Sequence, residues 1–144
     1  MTLSVYIAAS SREVERVQAA QRAVAERGWD LTLDWLSPML ENIAAGRLDS
    51  SLSDAEAAQY AVDDLMAIDS ADVVWFLCPG QPTKGAYVEL GYALGRGIPV
   101  VCSGARSSIF EAPHYCHLEM GAILTADSDD EAIDVLCEIE RASR

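Results

Sequence analysis

The chain has 144 residues, 51% hydrophobic and 23% charged, which suits one soluble globular domain of ordinary composition. Ten Lys and Arg stand against 23 Asp and Glu, for a net charge of −13. That balance argues against a binder of duplex DNA or anionic membrane, since phosphate contacts rest on clustered cations, but leaves open a small anionic ligand at a helix N-terminus.

Leu3 to Ala8 forms an apolar run that predicts a buried strand. Ser10-Ser11-Arg12-Glu13 has the pattern of a capping box, and Val14, Val17 and Val24 mark one face of a helix ending near Gly28. Leu31 to Leu36 alternates apolar and polar residues and predicts a second strand. Residues 37–53 carry Pro, Gly and Ser punctuation and predict a long connection. Ser53-Asp54-Ala55-Glu56 is a second capping box, opening a helix to about Ser70. Val73 to Cys78 is continuously apolar, as expected of a central parallel strand covered on both faces. A loop over 79–84, a helix from Gly85 to Arg96, strands at Ile98 to Cys102 and Ala122 to Thr125, and a helix from Asp129 to Arg141 complete the series.

This alternation predicts a single α/β domain over 1–144, with right-handed crossovers and an open, doubly wound parallel sheet. Five strands favour a flavodoxin-like (Rossmann-like) order, 2-1-3-4-5. Its ligand crevice then lies at the carboxyl ends of strands one and three.

Polar residues in apolar positions are the informative ones. The helix from Asp54 has an apolar stripe of Ala57, Tyr60, Ala61, Leu65 and Ile68, and Asp64 falls in its middle. Such an Asp is either bonded to backbone amides or an Arg, or set in a cleft for chemistry, because an unpaired buried carboxylate is costly. Glu89 repeats the anomaly beside Ala86, Leu90 and Ala93, early in the next helix. Two inward carboxylates flanking one strand are the equipment for cleaving a glycosidic bond, one as nucleophile and one as proton donor. Like charges that close do not both ionise cheaply, and Asp64 is expected to be the protonated partner. Gly91 and Gly95 are expected to pack this helix closely on the sheet. Tyr6 is a core aromatic whose hydroxyl wants a partner.

The segments VYIAASSR, DLMAIDSADVVWFL and GAYVELGYALGRGIPVV together resemble the nucleoside 2-deoxyribosyltransferase superfamily, which includes nucleoside 5′-monophosphate N-glycosidases. The resemblance runs from Val5 to Val101, and its most specific block is ELGYALGRGIPV. It implies a flavodoxin-like fold and a homodimer or higher oligomer with shared active sites. It implies that Glu89 is the nucleophile, Asp64 the acid that protonates the leaving base, and Tyr6 the group that orients the nucleophile. The transferases carry an Asp six positions before the nucleophile, where this chain has Thr83, and a C-terminal carboxylate, where this chain reads ERASR. These departures favour hydrolysis over base transfer.

The nucleotide hydrolases of that group hold a 5′-phosphate on their first loop, which Ser10, Ser11 and Arg12 match. Gly80, Gln81, Thr83 and Gly85 lie in the loop above the third strand, as a plain turn or as further substrate contacts. The reaction so implied takes a small-molecule nucleoside or nucleotide, not a nucleic acid, and calls for no metal or organic cofactor. A non-catalytic nucleotide sensor is the rival of another class; it would not require a buried carboxylate pair.

Cys78, Cys102, Cys116 and Cys137 form no CxxC pair and read as reduced core thiols of a cytoplasmic protein. His114, Cys116 and His117 lack the fourth ligand and wider spacing usual for zinc. The N-terminus lacks the basic region and long apolar core of a signal peptide. No apolar stretch approaches the roughly 20 residues that span a bilayer.

Overall fold

A computed structural model describes residues 2–81, 83–104 and 123–144. Strands β1 (Ser4–Ala8), β2 (Asp30–Leu31), β3 (Val73–Leu77), β4 (Val100–Ser103) and β5 (Ile123–Ala126) form one parallel sheet in the order 2-1-3-4-5. The helices are α1 (Val14–Glu26), α2 (Leu36–Ala44), α3 (Asp54–Asp69), α4 (Gly85–Arg96) and α5 (Asp129–Ala142). Helices α1 and α5 cover one face, where Val17, Val24 and Leu136 pack on Val5, Ile7, Trp75 and Val101. Helices α3 and α4 cover the other, where Ile68, Ala86, Leu90 and Ala93 pack on Tyr6, Val74, Phe76 and Val100. Burial on both sides explains why the middle strands are apolar throughout. Among the described residues, no helix is long and apolar enough to cross a membrane.

Several local expectations change. The second strand is far shorter than its alternating pattern suggests. After Thr32 N donates to Val5 O at 3.0 Å, the chain leaves the sheet. The Asp34 carboxylate then accepts from the amide and hydroxyl of Ser37, starting α2 where a connection was expected. A short 3-10 turn at Asp49–Ser51 follows.

The first capping box does not form. Glu13 is drawn into a 3.3 Å pair with Arg16, and Ser10 closes a turn in which its carbonyl accepts from Glu13 N. Helix α1 therefore begins at Val14 with no side-chain cap. The second box, Ser53 with Glu56, forms as expected. Gly28, at φ 68°, ends α1 in the left-handed conformation that glycine adopts without steric cost.

Gly91 and Gly95 are exposed on α4, and a side chain added at either would meet open space. They do not pack α4 on the sheet. Cys78 and Cys102 are buried and Cys137 partly so, while Cys116, His114 and His117 lie outside the described residues.

The α3 stripe is divided rather than continuous. At 16 residues the helix runs roughly 24 Å, against about 17 Å for the five residues of β3. It enters β3 from the sheet's amino edge, so its N-terminal turns project past the carboxyl edge. Leu65, Ala67 and Ile68 pack on the sheet. Ala57, Tyr60 and Asp64 instead face a cavity, and Ala61 is exposed.

Candidate active site

The cavity, of about 420 Å³, opens over the carboxyl ends of β1 and β3. Its floor holds Asp64 from α3 and Glu89 from α4, with Ala9 just past β1. Each carboxylate arrives by simple geometry. Asp64 sits where α3 begins to overhang the sheet, and Glu89 is the fifth residue of a helix that starts above β3. The expectation that the two meet in one cleft, although 25 positions apart, holds.

Tyr6 lies beneath them, fully buried on β1. Among the described residues its hydroxyl has no well-aligned hydrogen bond, yet both carboxylates lie close enough to act on its ionisation. Burial first, and then the charges of Glu89 and Asp64, push that ionisation well above the usual tyrosine range. The hydroxyl therefore stays protonated, an O–H donor waiting beside two acceptors.

Both carboxylates titrate high. Burial raises Asp64 to about 6, partly countered by the Tyr6 hydroxyl. Burial raises Glu89 to about 8, and the charge of Asp64 adds to it. The order is opposite to that expected from the sequence, because Glu89 is more deeply enclosed. Near neutral pH the pair shares about one proton.

Of the other expected contacts, Ser11, Thr83 and Gly85 line the cavity. Ser10 does not; it is buried, and its hydroxyl accepts from Arg12 N at 3.3 Å. The Arg12 side chain is exposed outside the cavity wall, and so is Gln81. Gly80 faces Glu13 on the opposite side of the loop. The first loop thus brings one of its three expected phosphate contacts to the cavity.

The sequence reading missed the far wall. Trp35, Met39, Asn42 and Ile43 come from α2 and its entry, with Arg47, Leu48, Asp49 and Leu52 from the turn beyond. The Trp35 indole N–H donates to Ile7 O at 2.8 Å, which leaves only the ring for a ligand. Arg47 pairs with Glu56 at 2.6 Å, and Asn42 Nδ2 donates to Tyr60 Oη at 3.2 Å. The signal for this wall was present in Leu36, Met39, Leu40 and Ile43, spaced three and four apart, but Ser37 and Pro38 masked the period.

At the opposite end, α4 begins at Gly85, its N-cap residue Lys84 provides no side-chain cap, and Thr83, Gly85 and Ala86 line the cavity there. Uncapped amides at a helix start favour an anion. Among the described residues no cluster of His, Cys, Asp and Glu is arranged to hold a metal ion.

No family model and no curated protein sequence matches the chain. Solved structures do. A CMP N-glycosidase of Clostridium botulinum, BcmB, superposes with a TM-score of 0.58 at 16% identity, covering 94% of this chain and 98% of that one. BlsM, in its solution structure, superposes with a TM-score of 0.68 at 14% identity, covering 99% and 95%. The likeness is of fold, over nearly the whole of all three chains.

Proposed function

We propose that the protein hydrolyses the N-glycosidic bond of a nucleoside 5′-monophosphate, releasing the free base. The observation that carries this reading is the convergence of Asp64 and Glu89 on one cavity floor, over the buried Tyr6 hydroxyl that acts on both. A sensor gains nothing from two enclosed carboxylates sharing a proton. A glycosidase needs them. That a CMP N-glycosidase has the same fold supports the reading.

The sugar sits over Glu89, with its phosphate on the uncapped start of α4 beside Thr83 and Gly85. This position for the phosphate replaces the Arg12 contact expected from the sequence. Substrate binding moves the shared proton to Asp64, and the Tyr6 O–H donates to the ionised Glu89. A Glu89 oxygen then attacks C1′ as the C1′–N bond breaks. The bonding pair leaves with the base, which takes its proton from Asp64. Water, deprotonated by Asp64, attacks C1′ in turn and frees Glu89. Thr83, neutral and short, lies where the transferases carry an Asp, which favours water over a second base as acceptor.

Self-association is part of the proposal. Val62 and Met66 on α3 and Val88 on α4 are large apolar side chains exposed by roughly half or more. Gly91 and Gly95 leave open space on the exposed side of α4. A second copy seated there would cover this apolar surface.

Incubation with ribo- and deoxyribonucleosides and their 5′-monophosphates, with and without an acceptor base, tests the reaction. Free base and sugar phosphate are expected from at least one monophosphate without acceptor. Release only in the presence of acceptor would replace hydrolysis by transfer. No release from any member would overturn the reading.

A further inference from the structure

We infer that Asn42 and Tyr60 are the base-reading pair of the cavity, and that they select a base bearing an exocyclic amine beside an unprotonated ring nitrogen, as cytosine and adenine do. The inference rests on the N-glycosidase reading and extends it to the base.

Helix α3 presents Ala57, Tyr60 and Asp64 to the cavity at spacings of three and four, hence on one face. Residues four apart on a helix are about one turn, roughly 6 Å, from each other. With Asp64 delivering its proton where the base leaves the sugar, Tyr60 lies one turn farther out, level with the edge of the base remote from the sugar. Glu89 and the start of α4 occupy the other end of the cavity, so this is the direction in which the base extends.

Asn42 faces the same place from α2. Its Nδ2 donates to Tyr60 Oη at 3.2 Å, which ties the two side chains together and leaves Oδ1 facing outward from the pair. Among the described residues, Asn42 Oδ1 has no donor and the Tyr60 O–H has no acceptor. The pair therefore offers an acceptor beside a donor. An amine beside an unprotonated ring nitrogen offers the complementary order, the same chemistry by which asparagine reads adenine. Uracil and hypoxanthine, with a carbonyl in place of the amine, set acceptor against acceptor at Asn42 Oδ1. A site whose polar groups are left unpaired by the wrong ligand rejects it strongly.

The test compares matched substrates on the full chain: CMP against UMP, and AMP against IMP. Base release gives kcat/KM, and calorimetry on the wild type and on Glu89→Gln gives Kd without turnover. The amine-bearing member is expected to lead by roughly 10–100-fold in at least one pair. That lead should shrink toward parity in Asn42→Ala and in Tyr60→Phe, with unchanged circular dichroism. Equal handling of both members by the wild type, or a lead that survives both substitutions, overturns the assignment. An amine preference in binding with no cleavage would keep the pair and overturn the glycosidase reading. Cleavage without preference would do the reverse, and neither binding nor cleavage overturns both.

Discussion

The carboxyl edge of the sheet carries two polar clusters, one on each face, built on opposite terms. On the α1 and α5 side, Arg16 reaches Asp129 through two hydrogen bonds of 2.7 and 2.8 Å. It also donates to Cys78 O at 2.6 Å and Ser103 O at 3.0 Å, tying together the ends of β3 and β4. Trp75 Nε1 donates to Ser103 Oγ, and Ser103 Oγ in turn donates to Asp129. Burial pushes Asp129 up, but its bonds to Arg16 and Ser103 hold the carboxyl below its usual range. On the α3 and α4 side, no cation among the described residues pairs with Asp64 or Glu89, and the Tyr6 hydroxyl lies close to both carboxylates without a well-aligned hydrogen bond to either. The first cluster pairs its charges, with one Glu13 oxygen left over, and stabilises the fold. The second leaves them unsatisfied, as a site that waits for a ligand does.

Three substitutions sharpen that contrast. The largest effect is expected from Glu89→Gln, which should lower base release by at least roughly a thousandfold. Its effect on stability has the opposite sign. A carboxyl that titrates higher in the folded chain than in the unfolded one binds more protons when folded. Its contribution therefore falls as pH rises from the ordinary Glu range through about 8. Thermal melts of Glu89→Gln at pH 8 should rise by roughly 5 °C, a gain that fades by about pH 5. A melting temperature that falls at pH 8 would mean that Glu89 is paired and structural.

Arg16→Ala should act the other way. It leaves Asp129 without its cation and takes one donor from each of the Cys78 and Ser103 carbonyls, costing about 2–3 kcal/mol in urea unfolding. The loss should be greatest at neutral pH and shrink in acid, because a depressed carboxyl contributes above its unfolded pKa and ceases to as pH falls through its folded one. Base release per folded molecule should largely persist. Wild-type-like unfolding would show that the network is ornamental.

Tyr6→Phe is the subtlest. Removing a buried hydroxyl with no fixed partner should leave stability unchanged or raise it by up to about 1 kcal/mol. The same change should slow base release about 10–100-fold, since the lost O–H is a donor to the nucleophile. A marked loss of stability would place the hydroxyl in the fold rather than the chemistry.

What the sequence made legible follows from this division. The sheet order was readable because strands buried on both faces are apolar throughout, as Val73 to Leu77 are. Asp64 and Glu89 were readable because each breaks a helical stripe. The far wall was not, because Asp34 ends β2 by hydrogen bonds that an alternating pattern does not reveal. The place of Arg12 was not legible, because a Ser-Ser-Arg pattern does not show that the Ser10 hydroxyl turns inward to accept from Arg12 N while the Arg12 side chain stays outside the cavity lining. The direction of the pKa split was also hidden, since it depends on depth and not on residue type.

The placing of the indoles has an optical consequence. Trp75 is fully enclosed and Trp29 nearly so, while Trp35 forms part of the cavity wall with its N–H already committed to Ile7 O. Under the proposed function, a base entering the cavity would lie against Trp35 and leave the other two tryptophans untouched. The chain thus carries its own fluorescent gauge of occupancy at Trp35, with buried indoles beside it as an internal reference for the integrity of the fold.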